Sequence, residues 1–123
     1  MTSEEFVRRI RRAVYEPAVD GSVTILQQPP GRRPSPMLVE ISQWFNGLLP
    51  EDREHVHRAI QMAARAAVFE MFAVLDGVTA IREATEPLGR LELRYRVGEH
   101  SILLNDPATA PLHDLFAEQV PPL

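Results

Sequence analysis

Histidine is the side chain that changes charge nearest to neutral pH, and the four histidines of this sequence fall into two groups. His55 and His57 stand beside Glu51, Asp52 and Glu54 in a helical segment. A zinc-binding helix places its ligands four residues apart on one face, whereas ligands two residues apart diverge by about 200°. Glu51 and His55 share a face, but two ligands do not make a metal site. We therefore predict no metal and no other cofactor.

The second group comprises His100, Asp106, His113 and Asp114, near the end of a predicted hairpin. Such side chains catalyse proton transfer where they converge, although turn and helix-start positions explain them more simply. The chain has no cysteine, glycine-rich phosphate loop or nucleophile elbow, so we assign no catalytic residue. The sequence favours a non-enzymatic protein. The alternative is a small-molecule-binding or enzymatic domain with a pocket between the hairpin at residues 90–104 and the central helix.

The clearest strand pattern holds four charged residues at alternate positions, Arg90, Glu92, Arg94 and Arg96. Leucine, tyrosine and valine fill the positions between them. The dipeptide at 98–99 suits a two-residue turn with glycine first, and residues 100–104 return as the partner strand. We expect the apolar face to be buried on the helices. The charged face is the predicted partner-binding surface, with a solvated sheet face as the alternative.

A long helix predicted over residues 51–76 organises the chain. Its main apolar stripe is accompanied by a second apolar sector on the opposite side, which contains Met62, Ala66, Phe69 and Ala73. A helix that is apolar on two sides is either central to a small fold or part of an interface. Met62 and Phe69 are therefore the predicted core of a homodimer, unless the first helix covers them.

The remaining segments complete a single α+β domain over residues 1–123. A capping box at Thr2 and Glu5 begins a helix that Pro17 is expected to end. Residues 22–27 contain three consecutive β-branched residues and predict a strand. Residues 29–36 predict a proline-rich loop, and Ser35 is predicted to cap a three-turn helix. A short helix over 111–118 follows the hairpin. The predicted order is α-β-α-α-β-β-α, with the long central helix packed against a small, mainly antiparallel sheet.

Charge and hydropathy limit the partners. The 13 basic residues are all arginine, and 17 acidic residues leave a net charge of −4, which argues against nucleic acid. The arginines at 8, 9, 11 and 12 remain open to two interpretations, an anion or nucleic-acid patch and the solvated side of an amphipathic helix. No signal-peptide pattern is present, and Arg65 and Glu70 interrupt an apolar stretch that is already short for a membrane span. We expect a cytoplasmic protein that does not enter the membrane.

Four segments in the last fifty residues, FAVLDGV, GRLELRYRV, LLNDP and LHDLF, resemble small immunity-type proteins encoded beside bacterial polymorphic toxins. The resemblance implies a non-enzymatic cytoplasmic protein that binds a cognate toxin domain and blocks its active site. It transfers no functional residue, and the first fifty residues carry none of it. The sequence thus predicts a bacterial protein-interaction module, with another protein as its partner and a homodimer as an open alternative.

Overall fold

The computed structural model describes all 123 residues and confirms the α+β class. Its helical segments are Ser3–Ile10 (α1), the π-helical Arg11–Tyr15, Glu16–Gln27 (α2), Pro36–Asn46 (α3), Pro50–Leu75 (α4) and Leu112–Gln119 (α5). Two antiparallel strands, Arg94–Val97 (β1) and His100–Leu103 (β2), form the only sheet. The predicted central helix agrees with α4 to within one residue at each end. None of the helices combines the length and the apolar character needed to cross a bilayer.

The N-terminal part of the chain corrects two predictions. Residues 22–27 belong to α2 rather than to a strand, and Pro17 does not end the first helix. The π-helical segment explains the second correction, because the Glu16 amide donates to the Arg11 carbonyl five residues back and the wider turn admits the proline. Within α2, Ser22 and Thr24 donate their hydroxyl groups to carbonyls four residues earlier, which satisfies these polar side chains in a helix.

Local capping signals near the helix starts are confirmed. Thr2 and Glu5 form the capping box of α1, and Ser35 accepts the Leu38 amide at the start of α3. The hydrogen bond that Glu5 accepts from the Thr2 amide, together with the nearby N-terminal charge, lowers the pKa of the Glu5 carboxyl. These contacts place both helix starts where the sequence predicts them.

The core lies where α1, the second half of α4 and α5 meet. Val7, Phe72, Leu112 and Phe116 are buried there in one cluster. The Phe72 ring packs edge-on against Phe6 at 6.3 Å and contacts Phe116 at 5.6 Å between ring centroids. Aromatic contacts of this geometry add to the free energy gained by burial, so three helices are held at one point.

The chain exposes more surface than its mass requires. Its accessible area is 8844 Å², and only 10 of 123 residues are buried. A compact monomer of 13.9 kDa is expected to expose about 6,700 Å². Exposed apolar residues occur along the whole chain, and Tyr95, Val97 and Ile102 of the hairpin are among them.

The hairpin is shorter and more exposed than predicted. β1 begins at Arg94 rather than Arg90, and the turn has glycine first as expected, with Gly98 at φ +59°. Every residue from Arg94 to Ile102 is exposed, so the expectation that one face is buried on the helices is wrong for most of the hairpin. The hairpin contacts the helices only near its base, where Leu93 packs against the core and Leu104 is buried. Its outer part extends past the helices into solvent.

Candidate functional site

One buried polar side chain, Asn105, fixes the hairpin to the helices. Its Nδ2 donates to the carbonyls of Leu75 at 2.6 Å and Leu91 at 2.9 Å, and its Oδ1 accepts the Leu93 amide at 2.8 Å. Its backbone carbonyl accepts a bond from Arg90 at 3.2 Å. The residue is 7% exposed. Because these bonds join the end of α4 to the chain on both sides of the hairpin, Asn105 sets the direction in which the hairpin leaves the body.

One side of the hairpin, which we call the apolar face, carries Tyr95, Val97, His100 and Ile102. Tyr95 lies opposite Ile102 and Val97 opposite His100, and paired residues in an antiparallel ladder share a face. Tyr95 is 40% exposed, Ile102 44% and Val97 59%. The same face passes inward to the buried Leu104. The hydrophobic core therefore continues along the hairpin into an uncovered apolar strip.

The opposite side, which we call the arginine face, carries Arg94, Arg96, Ser101 and Leu103. Arg94 donates from Nε and Nη2 to the Glu92 carboxylate at 3.1 and 2.9 Å. Arg96 forms no hydrogen bond or ion pair within the chain, so its guanidinium group is available to a partner.

The four residues of the predicted partner-binding surface therefore do not all lie on one face of the hairpin. Glu92, Arg94 and Arg96 lie close together on the outer part of the molecule. Arg90 instead donates to the Asn105 carbonyl at the base of the hairpin, four residues before β1 begins. Neither the role of Asn105 nor the uncovered apolar face was predicted.

The two predicted dimer-interface residues of α4, Met62 and Phe69, lie in different environments. Met62 is 61% exposed, whereas Phe69 packs against the core and contacts the His113 ring edge-on at 5.5 Å. Arg65 lies over the Phe69 ring at 5.5 Å and donates to the Val120 carbonyl at 2.7 Å. Phe69 is thus covered by α5 and the residues after it. Met62 stays a prediction as an interface residue, while Phe69 is largely used inside the chain.

His113 is held by a carboxylate that the sequence analysis did not single out. Asp76 accepts the backbone amides of Leu112 at 3.1 Å and His113 at 2.9 Å, and it bonds the His113 ring at Nδ1. The other ring nitrogen lies 3.3 Å from Asp114. Because Asp76 follows α4 and caps α5, it joins the two helices. These contacts hold the start of α5 against the end of α4.

The four residues considered as a possible acid–base group are not brought together as a whole. His113 and Asp114 are in contact, but His100 lies beside the hairpin turn and Asp106 accepts the Ala108 amide within its own turn. No set of three or more histidine, aspartate and glutamate side chains converges closely enough to hold a metal ion.

A cleft of about 680 Å³ lies between the end of α4, the loop at residues 79–91 and the turn at 105–111. Apolar residues such as Leu75, Ile81 and Leu88 share its walls with Arg82 and Arg90. Neither His100 nor His113 lines it. Its volume is in the range of small-molecule pockets, and of residues 90–104 only Arg90 and Leu91 line it.

Comparison of the chain with protein-family models, with curated proteins and with solved structures finds no match. The resemblance of the last fifty residues to immunity-type proteins therefore stays a prediction. Function is inferred below from the hairpin, from its attachment at Asn105 and from the adjoining cleft.

Proposed function

We propose that this chain is a bacterial protein-interaction module, an inhibitor of the immunity type that binds a cognate toxin in the cytoplasm through its projecting hairpin. The observation that supports this proposal is the uncovered hairpin itself. It presents Tyr95, Val97 and Ile102 on one side and the unpaired Arg96 on the other. Tyr95 and Ile102 are 40% and 44% exposed, and Val97 is 59% exposed.

The composition of the hairpin matches the chemistry of protein interfaces. Such interfaces combine an apolar centre with a polar rim, and aromatic residues and arginine are enriched at the positions that contribute most to affinity. Tyr95 and Ile102 form a cross-strand apolar pair, while Arg94 and Arg96 lie on the reverse side. Because Arg96 has no acidic partner within the chain, we expect the bound surface to place a carboxylate opposite it.

The attachment of the hairpin supports binding with a low entropy cost. Asn105 joins both ends of the hairpin to the end of α4, so the strands leave the body in a defined direction. A preorganised element loses less conformational freedom on association than a flexible loop does. The helices therefore act as a scaffold, and the hairpin acts as the element that meets the toxin.

Reversing the charge of the arginine face is expected to abolish partner binding without unfolding the protein. In the Arg94→Glu/Arg96→Glu variant we expect recovery of the partner to fall by about tenfold or more, since interface arginines often contribute about 2 kcal/mol each. Both side chains are exposed, so the free energy of unfolding should change by less than about 0.5 kcal/mol. The measurement is quantitative mass spectrometry of proteins captured by the tagged chain from its own bacterium.

The matched control is Arg32→Glu/Arg33→Glu, which makes the same charge change in the exposed loop before α3. It should capture as much partner as the unmodified chain. The captured protein should also be toxic when expressed alone and harmless when this chain is co-expressed. Equal recovery by the unmodified chain and both variants would contradict binding through the arginine face, and a harmless partner would contradict the inhibitor function.

The cleft supports a second candidate function, binding of a small molecule. Its volume of about 680 Å³ and its lining of apolar side chains together with Arg82 and Arg90 are the features that favour it. Arg82 donates to the Glu86 carbonyl at 2.8 Å, which holds one wall of the cleft in place. Ligand-induced NMR shifts at Ile81 and Leu88, with none at the hairpin turn, would favour this function over toxin binding.

A further inference from the structure

The hairpin has two open edges whose hydrogen-bonding groups can be assigned from its register. The Leu104 amide donates to the Leu93 carbonyl at 2.8 Å, which places Leu93 and Leu104 at a bonded position of the ladder, although the Leu93 amide itself donates to Asn105 Oδ1. Bonded pairs alternate with non-bonded pairs in antiparallel sheets. The backbone amides and carbonyls of Arg94 and Arg96 on β1, and of Ser101 and Leu103 on β2, therefore point away from the ladder.

These outward groups are free within the chain. No turn, loop or side-chain hydrogen bond involves the backbone of Ser101 or Leu103, and the hairpin contacts other elements only near its base. A two-stranded sheet is marginally stable in water without a third strand or a covering helix. Open edges are also ready templates for pairing with another chain.

The two edges differ in charge, and this difference selects one of them for self-association. Antiparallel pairing of β1 with its copy about Tyr95 would place Arg94 opposite Arg96 of the second copy, twice. Like charges in directly opposed positions destabilise a sheet. Pairing of β2 with its copy about Ile102 instead places Ser101 opposite Leu103 and brings no charges together.

We propose that β2 pairs with β2 of a second copy, antiparallel about a two-fold axis at Ile102, to form a four-stranded sheet. The outward amides and carbonyls of Ser101 and Leu103 then satisfy one another across the axis. β1 becomes the edge on both sides of the sheet. Its arginines oppose further pairing in the same register, so the assembly closes as a dimer.

The surface area of the chain is consistent with this assembly. The accessible area of 8844 Å² exceeds that of a compact monomer of this mass by about 2,200 Å². A standard interface removes about 800 Å² from each partner. Pairing in this register is formed by residues 101–103, because Leu104 is 2% exposed and its carbonyl accepts the Ser3 hydroxyl at 2.7 Å.

The dimer does not depend on the proposed toxin binding. Pairing uses the outer edge of β2, whereas Arg94 and Arg96 lie on β1 and stay accessible in the four-stranded sheet. Each proposal can therefore fail while the other stands.

The direct test combines the mass of the purified chain with residue-specific amide exchange. Sedimentation should give twice 13.9 kDa. Hydrogen exchange at the Ser101 and Leu103 amides should be slower than at the Arg94 and Arg96 amides by a factor of about ten or more. Only the Ser101 and Leu103 amides are bonded across the axis. A monomer at micromolar concentration, or equally fast exchange at all four amides, would overturn the proposal.

Two proline variants give the matched comparison. Ser101 and Arg96 lie opposite each other, and each directs its amide away from the ladder, so proline at either position removes no bond of the hairpin. Ser101→Pro should raise the dissociation constant of the dimer by about tenfold or more. Arg96→Pro should sediment with the same dimer mass as the unmodified chain. Ile102→Arg, which opposes two charges at the axis, should also give a monomer. A dimer that Met62→Arg separates and Ser101→Pro leaves intact would overturn the assignment of the interface.

Discussion

Replacing Asn105 by alanine is expected to lower the free energy of unfolding by about 3 kcal/mol or more. The substitution leaves the Leu75 carbonyl, the Leu91 carbonyl and the Leu93 amide without their partner at a position that is 7% exposed. An unsatisfied buried polar group costs about 1–3 kcal/mol, and water regains access to some of these groups through the cleft. Denaturant unfolding followed by circular dichroism measures the change. The Leu93 amide should also exchange faster in the variant.

The control for Asn105 is Asn46→Ala. Asn46 is exposed and donates to the Gln27 carbonyl at 3.0 Å and to the Ser42 hydroxyl at 3.4 Å. Water replaces these bonds easily, so its loss should cost about 1 kcal/mol or less. Similar small losses in both variants would show that Asn105 does not hold the hairpin to the helices.

The second large effect is expected from Phe72→Ala, which should lower the free energy of unfolding by about 3–5 kcal/mol. Phe72 is 3% exposed and contacts both Phe6 and Phe116. Truncation leaves a cavity between three helices in a chain with few buried residues. Because small domains are stable by about 5–15 kcal/mol in all, the variant should lose much of its cooperative unfolding transition.

Its neighbour Met71 provides the control, since it lies on the same helix and is 59% exposed. Met71→Ala should change the free energy of unfolding by less than about 0.5 kcal/mol. If the two variants were equally stable, the core would not lie where α1, α4 and α5 meet.

The elements with strong local signals could be predicted from the sequence. The apolar periodicity of α4, the capping serine at Ser35 and the glycine-first turn at Gly98 all depend on residues close together in the chain. The strand predicted at residues 22–27 is wrong, although the β-branched residues there favour a strand locally. There the continuous helix from α1 carries the chain through Pro17, and packing of α2 against α3 and α4 outweighs strand propensity.

The candidate site could be predicted only in part, because its contacts join distant parts of the chain. Asn105 bonds to Leu75, thirty residues away, and Asp76 caps a helix that begins thirty-six residues later. No spacing rule connects such pairs. The alternation in β1 correctly separates Arg94 and Arg96 from the apolar residues, but it cannot tell whether the apolar side is covered. That depends on how far the helices reach along the hairpin.

The role of the hairpin is tested most directly by removing it while keeping its base. Leu93 precedes β1, Leu104 follows β2, and a backbone hydrogen bond joins them, so a two-residue Asn-Gly turn can replace residues 94–103 and leave Asn105 in place. The shortened chain should keep its helical circular dichroism and its cooperative unfolding, yet capture no toxin from a lysate in which the full chain captures one. A shortened chain that folds and still captures the same partner would contradict the assignment of binding to the hairpin.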